Sequence, residues 1–327
     1  AGCPGQNDPI STGLQMFEVQ AKAMKNRHII AVDGGSTRSR LALAGCDGTV
    51  LSQIEGGFAN LTSDFETSRI NIETAIRDAY EVAQLSADSL QRDVAVLGIA
   101  GANFGDFAAR LAGAFDFAKI HVVSDREIAI AGVLGQADGT LAQMGTGSFF
   151  VSQCQGRTKQ IGGWGLQLAD ECSGAWLGRE LLRHVMRAND GLIGETDLTR
   201  DMMQRFGSQP GNIVLFAKTA TPQDFGQLAP EIFAAQMAGD TVANGIIGTA
   251  IADLRRILIT LDAAETGRIF LCGSVGERLK ELLVDDVADE FDHDLAALIS
   301  SPDGDGLIGA IALGCDLLKA AWPDETV

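Results

Sequence analysis

The chain has 327 residues, 46% of them hydrophobic, which suits two domains of ordinary size, each with its own core. Its 43 acidic residues outnumber 25 basic ones, and the net charge of −18 excludes broad binding to nucleic acid or to anionic membranes, both of which would repel it. No apolar run reaches the roughly 18 residues that cross a bilayer, and no signal peptide is visible, so a cytoplasmic protein is expected.

Residues 1–26 read as a leader or N-terminal extension, with Ser11 capping a short helix that runs to Met24. Three strands are predicted at 27–33, 38–45 and 49–55, followed by a helix over 64–85 in which Ile72, Ile76, Ala79 and Ala83 form one buried face. A strand at Val94–Ile99, a helix at Phe104–Ala114, a strand at Ile120–Val123 and a helix after Ser124 complete an N-terminal lobe, 27–137, in the order β-β-β-α-β-α-β-α. Gly135 to Gly139 forms a hinge. The C-terminal lobe, 138–327, begins with strands at Leu141–Met144 and Phe149–Val151 and then carries a helical insertion. In the helix over 242–262, Ile247, Ala250, Ile251, Leu254, Leu258 and Leu261 form a core stripe, and Gly245 and Gly248 allow close packing at its start. A strand follows at Ile269–Cys272, and a last helix at about 307–320, apolar on nearly every side, is expected to be buried near the junction of the lobes.

One device occurs twice. Asp33-Gly34-Gly35-Ser36-Thr37 and Gly145-Thr146-Gly147-Ser148 each join two strands. Glycine permits positive φ and removes the Cβ, so successive N–H groups and Ser/Thr hydroxyls can close around a phosphate. Two copies suggest one polyphosphate gripped from both sides. Asp33 either caps its own turn or holds Mg²⁺ beside the phosphates, and Arg38 either adds a cation to them or is solvated. Asp125 follows a strand and opens a helix, which suits an N-cap or a general base at a strand's C-terminal edge. In Gly162-Gly163-Trp164-Gly165 with Asp170 and Glu171, a Trp ring and carboxylates offer the mixture found in carbohydrate sites; the same residues also suit a core Trp with capping acids. Gly273-Ser274 ends a strand in a turn fit to pack against adenine and ribose. The six cysteines show no C-x-x-C pair, which argues against a metal–thiolate centre, and none of the four scattered histidines reads as catalytic.

In this order and spacing, these motifs together with Gly98-Ile-Ala-Gly101, Ser124-Asp125 and the closing Pro302-Asp-Gly-Asp-Gly-Leu segment resemble the N-acetylglucosamine kinases. Those enzymes lie within the BadF/BadG/BcrA/BcrD-type ATPases of the sugar kinase/Hsp70/actin superfamily, and the likeness runs from about Ile29 to Leu318. The resemblance implies a duplicated ribonuclease H-like α/β fold, two lobes around a central cleft, with ATP and Mg²⁺ as cofactors, an amino sugar as substrate and a homodimer as the assembly. It assigns Asp125 as catalytic base and sugar contact, and Asp33 to the metal. Nucleotide contacts fall on Gly34, Gly35, Ser36, Thr37, Gly145, Thr146, Gly147, Ser148, Gly273 and Ser274. Sugar contacts fall on Asn60, Thr146, Gly163, Trp164, Gly165 and Asp170. The implied reaction is transfer of the ATP γ-phosphate to the 6-hydroxyl of N-acetylglucosamine or glucosamine. The alternatives are an ATPase that activates a partner reductase, against which the scattered cysteines argue, and a non-catalytic sugar sensor, for which no DNA-binding motif is visible. One departure stands out: the family reads Asp-Glu-Gly-Ser where this chain has Asp170-Glu171-Cys172-Ser173. A side chain there disfavours positive φ, so the local backbone or the pocket volume is expected to differ.

Overall fold

In the computed structural model the described residues are 27–284 and 293–323, and the expected helix from Ser11 to Met24 lies outside them. They divide into two compact units, one holding the residues up to Gly135 together with those from Gly304, the other Gln136–Asp303.

In the first unit β1 (His28–Gly34), β2 (Ser39–Gly45) and β3 (Val50–Gly56) form an antiparallel meander. β4 (Val94–Ile99) and β5 (Lys119–Val123) add in parallel on the other side of β1, giving the order β3-β2-β1-β4-β5. β1 and β4 are apolar runs buried on both faces, as inner strands covered by helices must be. Helix α1 (Phe65–Val82) starts at Asp64, whose carboxylate accepts the Thr67 N–H, and buries Ile72, Ile76 and Ala79 as their spacing predicts. α2 (Phe107–Ala112) is shorter than expected because Gly105 adopts φ +53, which no helix can contain. α3 (Asp125–Val133) begins at Ser124 with a full capping box to Glu127. Beneath β1, the buried Asp93 carboxylate accepts the His28 backbone N–H at 2.8 Å and the Tyr80 hydroxyl at 2.6 Å, so His28 has a structural role.

The second unit repeats the plan. β6 (Gly139–Met144), β7 (Ser148–Cys154) and β8 (Arg157–Gly162) make the meander, while β9 (Ile269–Cys272) and the short β10 (Ile299–Ser300) add in parallel, in the order β10-β9-β6-β7-β8. Between β8 and β9 lie α4 (Gly174–Asn189), α5 (Asp197–Arg205), α6 (Pro210–Thr219), α7 (Pro222–Gly226), α8 (Ala229–Met237), α9 (Thr241–Thr260) and α10 (Ala263–Thr266). α11 (Gly273–Val284) and α12 (His293–Ala296) follow β9. The predicted α9 stripe is buried and extends to Val242, Ala243 and Ile246. Gly245 and Gly248 do not serve close packing: a Cβ at either would meet nothing within 4 Å.

The last helix, α13 (Gly306–Ala321), returns to the first unit and packs on β1, β4 and α3, so it does not belong with the C-terminal half as expected. Nor is it buried all round, since Ile308, Ala312, Asp316 and Lys319 form an exposed face. The α3–α13 contact depends on glycine: a Cβ on Gly309 would overlap the Ile128 carbonyl, and one on Gly132 the Asp305 carbonyl.

Candidate active site

In the first unit the site residues gather at the C-terminal ends of the parallel strands, the edge where open α/β sheets bind ligands. Asp33 is level with Gly98 in β4, and Gly98 with Val123 in β5, two residues before Asp125. Hairpin register places Arg40 opposite Asp33. The Arg40 guanidinium donates from Nη2 to Asp33 at 2.5 Å and from Nη1 to Asp305 at 2.6 Å. Asp305 also caps α13 by accepting the Ile308 N–H at 3.1 Å. Burial alone would raise the Asp305 carboxyl, but the Ile308 N–H and Arg40 outweigh it and hold the group below the usual carboxylate range. The cation at this turn is therefore Arg40; Arg38 is largely exposed, with Glu55 3.9 Å away.

Asp125 is partly exposed, but its carboxyl is enclosed by protein, which pushes its pKa up to about 6. The Arg126 guanidinium and N–H pull it down, and the negative Asp33 nearby raises it further. Asn60 follows β3 and donates from Nδ2 to the Ser36 hydroxyl at 2.8 Å, while its Oδ1 accepts from Thr62. One Nδ2 proton remains for a ligand.

The first glycine turn is tight: the Gly35 N–H donates to the Arg38 carbonyl at 3.0 Å. In the second unit the Gly145 N–H likewise donates to the Gly147 carbonyl at 2.9 Å, so neither of these N–H groups faces a phosphate. None of Gly34, Gly35, Gly145 and Gly147 has a left-handed backbone, so these turns do not use the positive φ that glycine permits. Gly34 and Gly147 serve by lacking a Cβ, the first against Ile99 and Ala59, the second against the Asp170 carboxylate, 3.1 Å from where a Cβ would sit.

The second turn is fastened to the start of α4. The Gly174 and Ala175 N–H groups donate to the Gly145 and Thr146 carbonyls at 2.8 and 3.1 Å, and the Ser148 hydroxyl donates to the Glu171 carbonyl at 2.7 Å. Ser173 caps α4 by accepting the Trp176 N–H at 3.0 Å. Gly162, Gly163 and Gly165 all have left-handed φ and turn Trp164 outward, 69% exposed, so Trp164 is not a core residue. Asp170 is buried beside the turn. Gly273, φ +84, ends β9 directly against the Met144 carbonyl, and Ser274 follows it at the start of α11.

Cys172 has φ +63, a left-handed backbone that glycine adopts more readily than a residue with a side chain. Its thiol points into the core, donating to the Ala250 carbonyl of α9 at 3.1 Å, and burial drives its pKa upward.

Thus Asp33, Ser36, Asn60 and Asp125 come together in the first unit, and Thr146, Gly147, Ser148 and Asp170 in the second. The sequence reading missed Arg40, Asp305 and the docking of α4. The Arg40 pairing is the one with a sequence signal, since a four-residue turn after Gly34 sets Asp33 opposite Arg40.

The duplicated five-stranded sheet with glycine turns at its strand ends defines the actin- and hexokinase-like ATPase fold. The chain belongs to the BadF/BadG/BcrA/BcrD ATPase family, whose profile matches residues 30–314. It is 31% identical to the glucosamine kinase GspK of Vibrio cholerae over 78% of this chain and 87% of that protein. It is 26% identical to an N-acetylmuramic acid/N-acetylglucosamine kinase of Clostridium acetobutylicum over 70% of this chain and 77% of the relative. A provisionally assigned N-acetylglucosamine kinase from Chromobacterium violaceum superposes with a TM-score of 0.79 at 29% identity, covering 88% of this chain and 99% of the other.

Among the described residues no group of three His, Cys, Asp or Glu side chains could cage a metal ion, and no helix is long and apolar enough to cross a membrane. Mg²⁺ is commonly held by one or two carboxylates together with waters and substrate phosphates, and the Asp33 carboxylate at the first glycine turn fits such a ligand set.

Proposed function

We propose that this chain is an ATP-dependent amino-sugar kinase that transfers the ATP γ-phosphoryl group to the 6-hydroxyl of N-acetylglucosamine or glucosamine. The observation that carries the reading is Asp125, enclosed at the strand edge beside Asp33 with its pKa raised to about 6, where a general base works near neutral pH. As the sugar oxygen attacks, a bond forms from that oxygen to the γ-phosphorus, its proton passes to the Asp125 carboxylate, and the bond to the β-phosphate oxygen breaks to leave ADP. Asp33 would hold Mg²⁺, which when bound neutralises charge on the phosphates. Arg40 fixes the Asp33 carboxylate in place and ties it to the head of α13.

We assign phosphate contacts to Ser36, Thr37, Thr146 and Gly147, and nucleoside contacts to Gly273 and Ser274. Asn60, Gly163, Trp164, Gly165 and Asp170 take the sugar; the outward Trp164 ring offers the apolar face and Asp170 the acceptor. The names of the relatives support the substrate class. We also infer a homodimer, which light scattering on the purified chain checks.

The test is ADP release from Mg·ATP with glucosamine, N-acetylglucosamine, glucose or no sugar, together with mass analysis of the phosphorylated position. Stimulation by one amino sugar is expected. Equal release with and without sugar would point instead to an ATPase that drives a partner.

A further inference from the structure

The helical insertion of the second unit contains a groove of about 590 Å³ that the chemistry above does not use. Its floor is apolar, from Leu182 and Met186 of α4, Ile213 of α6 and Phe225 of α7. Its walls are cationic. Arg179, Arg183 and Arg187 recur every fourth residue on one face of α4, and Lys218 of α6 joins them. No acidic side chain lines the groove, in a chain of net charge −18. Two of the cations are engaged: Arg179 with the Leu166 carbonyl and Arg183 with Glu180, at 2.9 Å. Among the described residues Arg187 and Lys218 have no ion-pair partner.

We propose that this groove is a binding site for a small amphiphilic anion, an apolar body carrying a carboxylate or phosphate head. Its volume falls within the range of small-molecule sites, roughly 300–1,000 Å³. The floor alone would admit any apolar molecule. The cations select among them, because an anionic head is attracted to Arg187 and Lys218 while its apolar body leaves water for the floor. The groove also adjoins the loop of the proposed kinase site. Arg179 holds the loop that presents Trp164, and α4 begins at Gly174, whose N–H fixes the second glycine turn.

The experiment uses the full chain without nucleotide or sugar, so its result does not depend on the kinase reading. Anilinonaphthalene sulfonate is titrated in and followed by fluorescence, then displaced with decanoate, decyl phosphate or decanol. We expect one saturable site from which both anions displace the dye better than decanol, and the better anion identifies the head group. Binding should weaken about tenfold in Arg187→Glu/Lys218→Glu, the scale of losing two exposed charge contacts, and should be lost in Ala217→Trp, which fills the groove from an exposed position. Both variants should retain the parent thermal midpoint. Dye binding insensitive to charge reversal, or decanol competing as well as decanoate, overturns the anion assignment. Unsaturable dye binding together with self-association that Ala217→Trp abolishes means that a second copy covers the groove, and this also overturns it.

Discussion

The enclosure that suits Asp125 to accept a proton also makes it a cost to the fold. An aspartyl group ordinarily titrates near 3.9, and here the native state holds its proton up to about 6. The native state binds that proton more tightly than the unfolded chain does. The group's contribution to stability is thus full below about pH 4 and is lost as pH rises through 6, an effect on the order of 3 kcal/mol. Asp125→Asn should therefore melt higher than the parent at pH 7.5 in the absence of Mg²⁺ and nucleotide, and the difference should vanish near pH 4. In the same variant turnover should fall by roughly 10²–10⁴, the usual loss with a general base, and kcat/KM of the parent should decline below about pH 6. Equal melting at both pH values would contradict the enclosure. At Cys172 the left-handed backbone and the buried thiol oppose each other, because Cys172→Gly relieves strain of about 1 kcal/mol but deletes a core contact. Since the thiol faces α9, that variant should leave the ratio of KM values for N-acetylglucosamine and glucosamine unchanged. Asp125 and Cys172 were legible as special positions in the sequence. Arg40 was legible only through strand register, which a four-residue turn sets, whereas proximity along the chain favours Arg38.

Among the elements, those with a strong hydrophobic period were read well and those with none were not. β4 and the α9 stripe fall where their apolar spacing places them. β8, which reads Arg-Thr-Lys-Gln-Ile-Gly, went unrecognised as a strand because it is an edge, mostly exposed and recruited by pairing to β7. Glycines in helices were the least legible, since sequence does not reveal what lies across from them. Gly245 is exposed in α9 and faces open space, whereas Gly309 in α13 lies against the Ile128 carbonyl. Gly245→Ala should stabilise the protein by about 0.5–1 kcal/mol through helix propensity. Gly309→Ala should destabilise it by roughly 2–4 kcal/mol, because backbone must move apart to admit the methyl group. Urea unfolding midpoints with an unchanged slope measure both, and the same sign for the two would contradict the packing of α3 on α13.

For the whole molecule, the repeated glycine turns foretold the repeated sheet, and the strand order of the two units agrees position by position. The return of α13 to the first unit was not foretold, since a contact between the end of a chain and its first strand leaves no local pattern. α13 puts Leu307, Ala310 and Leu318 into the same apolar cluster as Ile29 and Ala31 of β1, Val94 and Val96 of β4, and Ile128 of α3. Gly314 packs so closely on Ile29 that a Cβ would overlap its side chain. Asp305, at the head of the helix, supplies half of the Arg40 clamp on Asp33. A chain ending at Asp303 would thus leave the helix face of β1 and β4 bare to water, and burying an aliphatic side chain contributes about 1.5–3 kcal/mol. Several such side chains match the roughly 5–15 kcal/mol of net stability typical of a domain. Hydrogen exchange on this truncated chain should show protection lost across β1, β2, β4 and β5, hundreds of residues before the cut, and retained across β6, β7 and β9, whose core has no α13 residues. Loss confined to the second unit, which contains the residues next to the cut, would mean that the C-terminal helix belongs where the order of the chain suggests.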